Sequence, residues 1–390
     1  MHRSDLDMLL NEMLEAHPRI SDLNFTVGRP CQIAADGKLH SVSIDLNTGC
    51  LTPFQTEMLA LTMINNNKRL ISDLIKHGSC DFSYHLHDGP RFRVNVFSQR
   101  GAYSIVMRRL ENEIPTIEGL NLPGCFKQMA KEKNGIILFT GATGTGKTTS
   151  LAAILDEINR NEPLHIITLE DPIEYVHEHK KATFNQRELG KDFDAFSSGL
   201  RAALRQAPHV VLVGEMRDRE TIEIAMNAAE TGHLVFSTLH TVNAGHTINR
   251  ILGMFTTEEE RQVRFRLADS VRWVVGQRLL PKKEGGRVAV FEIMHNNIRV
   301  KDAIINGERE GKTFYEIIES ARGVGMQTFD QHIIELFKKG VIDEETALAY
   351  ASNRAKVRQG IDQEKNKRGE KTSDIEGLSI DLDWDVRSPT

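Results

Sequence analysis

Gly141-Ala142-Thr143-Gly144-Thr145-Gly146-Lys147-Thr148-Thr149 is a complete G-x-x-x-x-G-K-[ST] phosphate-binding loop. It stands between the apolar run Ile136-Ile137-Leu138-Phe139 and the helix-favouring stretch Ser150 to Leu155. Strand, loop and helix in that order are the context the pattern requires, so the chain is expected to bind a nucleoside triphosphate. The glycines let the backbone curl until successive N–H groups point into one concavity, and the helix that follows aims its positive dipole end at the same phosphates. Lys147 is expected to reach the β- and γ-phosphates, and the Thr148 hydroxyl to hold Mg²⁺.

Working outward, short apolar strands alternate with helical patterns from Asn134 onward: Ile136 to Thr140, His165 to Leu169, Val210 to Val213 and Leu234 to Ser237. This alternation predicts an α/β fold with a parallel, doubly wound sheet. Four of its strands end in chemically informative residues: the phosphate loop, Glu170-Asp171, Glu215 and His240. Ligands of open parallel sheets sit beyond the strands' carboxyl ends, so these groups are expected to converge. Residues 256–280 and 314–358 carry helical patterns.

Upstream the period changes. Leu6, Leu9, Leu10, Met13 and Leu14 fall at helical spacing behind a Ser4 cap, Asp36-Gly37 signals a hairpin, and Arg91-Phe92-Arg93-Val94-Asn95-Val96-Phe97 alternates strictly. Residues 1–110 therefore read as a small α+β domain with an antiparallel sheet, and 111–123, with Pro115, Gly119 and Pro123, as a linker. A second domain is expected over 124–358. The charged, apolar-poor stretch 359–390 reads as a disordered tail, ending in the acidic-apolar segment Leu378 to Trp384.

The 390 residues hold 49 basic and 54 acidic side chains, a net charge of −5. That balance argues against general attraction to a phosphate backbone, so nucleic acid is not the expected partner. Cys31, Cys50, Cys80 and Cys125 show no C-x-x-C spacing and read as reduced cytoplasmic thiols. No run approaches the ~20 apolar residues of a spanning helix. Any membrane role is expected to come through a partner.

Val210 to Val213 followed by Gly214-Glu215 is an apolar strand ending in a carboxylate, which would place Glu215 to orient or deprotonate the attacking water. A common NTPase pattern puts Asp where Gly214 stands, to hold the metal's water shell; Glu170 could supply that carboxylate instead. His233 and His240 bracket the strand Leu234 to Leu239, beside Thr238 and Thr241, and together read as a γ-phosphate sensor. Each of these groups also has an ordinary structural reading, as a helix cap or a satisfied polar residue.

The strings GATGTGKTT, ITLEDPIEY, LRQAPHVVLVGEMRDRET and AAETGHLVFSTLHT resemble the Walker A loop, Asp box, Walker B and His box of the secretion-superfamily ATPases. They are similar in particular to the type IV pilus retraction ATPases of the PilT and PilU kind, over residues 1–358. The resemblance implies a PAS-like N-terminal domain and a RecA-like ATPase domain with a helical C-terminal part. It also implies a cytoplasmic homo-hexamer with ATP and Mg²⁺ between subunits, powering pilus retraction and twisting motility. Within it, Arg93 in RFRVNVF and Arg108 in SIVMR match the arginines that contact the γ-phosphate across the subunit boundary, and glycine at position 214 is usual. Partners implied are an inner-membrane pilus platform protein and a PilT-like paralogue. Ile305 stands where the C-terminal signature of principal retraction motors has its first arginine, and the tail is similar to that of the accessory PilU paralogues. The resemblance therefore leans towards a PilU-like subunit; a nucleotide-binding accessory ring subunit that hydrolyses little by itself is the alternative function, and a nucleic-acid translocase a further one.

Overall fold

The computed structural model describes residues 1–44, 49–87, 89–110 and 113–369. Its amino-terminal part runs α1 (Arg3–Glu15), β1 (Ile20–Phe25), β2 (Gln32–Ala35), β3 (Lys38–Ser41), α2 (Pro53–Ile64) and α3 (Lys68–His77). Strands β4 (Ser79–His85), β5 (Arg91–Gln99) and β6 (Ala102–Arg109) complete it. The six strands form an antiparallel sheet in the order β3-β2-β1-β6-β5-β4. Asp36 and Gly37 both take positive φ at the β2–β3 turn, the geometry a two-residue hairpin needs. Along β5 the alternation sends Phe92, Val94 and Val96 into a core of its own with Leu6, Leu10 and Leu59, leaving Arg91, Arg93 and Asn95 on the opposite face.

The second part begins with α4 (Cys125–Met129), β7 (Gly135–Thr140), α5 (Lys147–Asn161), β8 (His165–Glu170) and β9 (Thr183–Glu188). It continues through α6 (Phe196–Ala203), β10 (Val210–Val213), α7 (Arg219–Glu230), β11 (Leu234–Leu239), α8 (Ala244–Leu252) and α9 (Thr257–Ser270). Strands β12 (Val271–Pro281) and β13 (Arg287–His295) follow. The chain then forms α10 (Ile298–Asn306), α11 (Phe314–Ser320), α12 (Phe329–Lys338), α13 (Glu344–Ala349) and α14 (Arg354–Arg368). Seven strands lie in the order β13-β12-β7-β11-β10-β8-β9, all parallel except β13. This is the expected α/β sheet with helices on its faces. Every residue of β7, β10 and β11 is buried, as strands covered on both sides must be. Alternation sorts them: Ile136 and Leu138 pack on one face with Val213 and Val235, Ile137 and Phe139 on the other with Leu212 and Phe236.

Two expectations are corrected. The helical reading of 256–280 holds only to Ser270, because Val271, Trp273, Val274 and Val275 are β-branched or aromatic and their segment enters the sheet between β7 and β13. A strand buried on both faces has no polar stripe, so hydrophobic periodicity does not separate it from a buried helix. Disorder expected from Gln359 is not found over 359–368, where α14 runs to Arg368. Val357 and Ile361, one turn apart, are buried with Ile333, and Gly360 lets α14 approach Ile334 so closely that a Cβ there would collide with its side chain. The segment Leu378 to Trp384 lies outside the described residues.

Candidate functional site

β7 ends at Thr140 and α5 starts at Lys147, so the glycine-rich loop is the direct connection between them. Gly141 has φ 142° and Gly146 φ 88°, and at both a side chain would collide with Gln277 of the neighbouring β12. Gly146 is also the N-cap of α5 and supplies no capping side chain, so the helix's first N–H groups are left for an anion. Ala142, Thr143 and Gly144 form the exposed crown, and the Thr145 hydroxyl donates to the Ala142 carbonyl at 2.9 Å. Lys147 is buried, its Nζ donating to the carbonyls of Gly141 at 2.8 Å and Ala142 at 2.9 Å. Burial lowers its pKa, while the charges of Glu215 and Glu174 oppose that shift. Thr148 occupies the first turn of α5, and the Thr149 hydroxyl lies 3.2 Å from that of Tyr175.

Sheet order brings the expected groups to one edge. From the loop after β7 the neighbours are β11, which leads into His240, then β10, which leads into Glu215, then β8, which ends in Glu170. Glu215 is held on both oxygens: Arg217 Nε lies 2.6 Å from Oε1 and His240 Nε2 3.4 Å from Oε2. The absence of aspartate at position 214 has a packing cause. The Gly214 N–H donates to the Leu169 carbonyl at 2.8 Å, and a Cβ there would stand 3.0 Å from that oxygen. Glu170 is buried and accepts from the Thr168 hydroxyl at 2.6 Å and from Gln186 Nε2 at 2.9 Å. Desolvation pushes its pKa up to about 7. Hydroxyl and carboxylate oxygens are the donors Mg²⁺ prefers, so Thr148 and the acidic edge fit that ion with phosphate oxygens and water completing its shell.

His233 is a correction. It precedes β11, beside Gly135, and its Nδ1 lies 3.0 Å from the Ala228 carbonyl oxygen. His240 follows the same six-residue strand, so the two histidines stand roughly 20 Å apart and only His240 is on the edge with the phosphate loop. Flanking one strand does not bring two residues together, because a strand's ends point opposite ways.

Arg93 and Arg108 face each other across β5 and β6. Arg93 Nε is 3.9 Å from Asp81, and Arg108 Nε donates to Asp22 at 2.9 Å. Arg91 does something the alternation did not foretell: its guanidinium donates to the Ile173 carbonyl at 2.8 Å and the Glu174 carbonyl at 3.5 Å. Ser83 Oγ donates to Glu188 at 2.5 Å beside it. The amino-terminal sheet is thereby fastened to the segment that follows Glu170. Glu174, Gln186 and Gln277 also escaped the sequence reading; only Glu174 stood within a quoted motif.

A phosphate loop opening a helix at the carboxyl edge of a parallel sheet, with a strand-terminal glutamate and a histidine beside it, defines a P-loop nucleotide-binding protein. The type II/IV secretion system protein family matches residues 84–362, and the chain belongs to that family. It is 42% identical over 329 residues to the type IV pilus retractation ATPase PilT of Pseudomonas aeruginosa, covering 84% of this chain and 93% of that one. To the type IV pilus ATPase PilU of the same organism it is 38% identical over 380 residues, 97% of each chain. Among solved structures, the pilus retraction motor PilT with bound ADP matches with a TM-score of 0.80 and 38% identity, over 91% of this chain and 98% of that one.

Proposed function

We propose that the chain is an ATP-hydrolysing motor that powers type IV pilus retraction, working as a homo-hexamer with ATP bound between subunits. The observation that carries this reading is similarity to PilT over 84% of the chain and to PilU over 97% of it, together with a phosphate loop whose helix has no side-chain cap. In this scheme residues 1–110 and 124–358 move as two bodies about the linker 111–123. The N–H groups from Gly141 to Thr149 cradle the phosphates, and Lys147 neutralises charge on them. Thr148 would hold Mg²⁺, with Glu170 as the nearby carboxylate, and the ion would supply charge neutralisation to the phosphates. Glu215 orients the attacking water and His240, in contact with it, senses the γ-phosphate. Arg93 and Arg108 reach a neighbour's nucleotide as arginine fingers.

Among the described residues no helix is long and apolar enough to cross a membrane. The motor is proposed to be cytoplasmic and to meet the inner membrane through a pilus platform protein, with a PilT-like paralogue as a further partner. The accessory reading is less favoured, because the relatives PilT and PilU are both named as pilus ATPases.

Turnover by the purified chain tests the proposal. Lys147→Ala should abolish it without unfolding the protein. Glu215→Gln should keep ATP binding within about tenfold while slowing hydrolysis by roughly 10² or more. In a piliated cell lacking its own copy, the wild-type chain should restore twitching and Glu215→Gln should not. Wild-type turnover in the Lys147 variant, or twitching restored by both chains, would remove this reading.

A further inference from the structure

Beneath the phosphate loop runs β12, a strand that none of the nucleotide motifs includes. Its Gly276 pairs in register with Thr140, the last residue of β7, so Gln277 lies beside the point where the chain enters the loop. Gln277 is 2% exposed. Three contacts tie it to the loop. Its carbonyl oxygen sits so close to Gly141 that a Cβ there would collide with it. Its side-chain Oε1 accepts from the Ser150 hydroxyl at 3.0 Å, and Ser150 is itself buried in the first turns of α5. Its Nε2 stands 2.9 Å from where a Cβ on Gly146 would be. One residue thus touches the first glycine of the loop, the last glycine, and the helix behind them.

Burying a primary amide is unfavourable unless its polar atoms are used, and an apolar side chain would fill the same space without that cost. The position of β12 is in turn fixed from its other side. The Phe329 ring of α12 lies where a Cβ on Gly276 would be, 2.8 Å away, and the Arg278 guanidinium sits 3.8 Å over that ring while donating to the Tyr350 carbonyl at 3.1 Å. Gln277 therefore stands between the loop and a strand anchored on the carboxy-terminal helices.

We propose that Gln277 is the positioning residue of the phosphate loop, setting the separation of Gly141 from Gly146 so that the intervening N–H groups converge on a nucleoside di- or triphosphate. This rests on the assignment of the loop as the nucleotide site. Gln277 acts through the loop and touches no reacting atom, so its loss is felt in nucleotide affinity and much less in the chemical step.

The full-length chain is titrated with N-methylanthraniloyl-ADP, and ATP turnover is followed as KM and kcat separately, for wild type, Gln277→Leu, Ser150→Ala and the double variant. Gln277→Leu keeps the volume and should weaken ADP binding by about tenfold or more and raise KM, with kcat at saturation within about threefold, because misaligned donors lose grip on the phosphates. Ser150→Ala should lose part of that affinity. The double variant should be no worse than Gln277→Leu alone, since both remove one contact. Unchanged ADP affinity in Gln277→Leu overturns the proposal while leaving the nucleotide site in place. If Gln277→Leu does not fold, unchanged affinity in Ser150→Ala overturns it equally, and a loss there with kcat retained supports it. Failure of the wild-type chain to bind the probe would remove the nucleotide reading and this proposal together.

Discussion

Replacing Glu170 by glutamine should make the protein more stable, and increasingly so as pH rises. The carboxyl group is buried at the end of β8 and its pKa is pushed up to about 7, against an ordinary value near 4.5. Below about pH 4.5 it is protonated in both the folded and the unfolded chain and contributes nothing to the pH dependence. Between 4.5 and 7 the unfolded chain ionises while the folded one keeps its proton, so stability falls as pH rises, and above 7 the loss is complete. A separation of about 2.5 pH units at about 1.4 kcal/mol each sets an upper bound of about 3.5 kcal/mol. Glutamine keeps an acceptor oxygen for Thr168 and Gln186, and its NH₂ replaces the acid's hydroxyl. Calorimetry of wild type and Glu170→Gln from pH 4.5 to 8 should therefore show coincident midpoints at the acid end. At pH 8 the variant should melt higher by up to roughly 5–10 °C. Glu292, buried and likewise raised to about 7, remains in both proteins, so the variant keeps some of the wild type's decline. With Glu170 proposed as the carboxylate near Mg²⁺, ATP turnover should fall in the same variant. Equal midpoints at pH 8, or a difference that persists unchanged to pH 4.5, would refute the argument.

Three further expectations concern the same edge. Arg217→Gln frees one oxygen of Glu215 from an ion pair whose arginine is largely exposed, so the pair is worth ~0.2–1 kcal/mol and turnover should rise about 1.4- to 5-fold; a fall would mean the guanidinium itself serves the reaction. Gly214→Ala sets a methyl group 3.0 Å from the Leu169 carbonyl and should destabilise the chain by about 1–3 kcal/mol in denaturant titrations; an unaltered midpoint would show that β8 and β10 can part freely there. Mixed rings containing an Arg93→Ala or Arg108→Ala subunit and a Glu215→Gln subunit should regain activity absent from either parent. No gain despite confirmed co-assembly would contradict a site shared between subunits.

The phosphate loop was legible because its pattern fixes eight consecutive positions, and the placement of Glu215 and His240 on its edge because each stands within two residues of the end of an apolar strand of a parallel sheet. Legibility ended where contacts depend on which strands become neighbours. Gln277 sits in a segment, Val271 to Pro281, whose apolar residues, interrupted at Arg272, Gln277 and Arg278, read equally as helix, and nothing local says that it will lie under Gly141. The same holds for Gln186, brought to Glu170 only by the pairing of β8 with β9. His233 failed for a directional reason: proximity in sequence to β11 carries no information about which end of the strand faces the loop. The helix over 359–368 was hidden because its buried apolar residues are just Val357 and Ile361, and two apolar side chains in a charged stretch look like solvated chain until Ile333 is placed opposite them.

Arg91 grips the segment between β8 and β9 through the carbonyl oxygens of Ile173 and Glu174, not through their side chains. Such a contact is indifferent to what those two residues are: most substitutions at 173 or 174 leave its acceptors where they were. It responds instead to the tilt of two peptide planes. The amino-terminal sheet thus carries a gauge of backbone orientation a few residues beyond Glu170, one that sequence drift leaves calibrated and that any rotation of that segment resets.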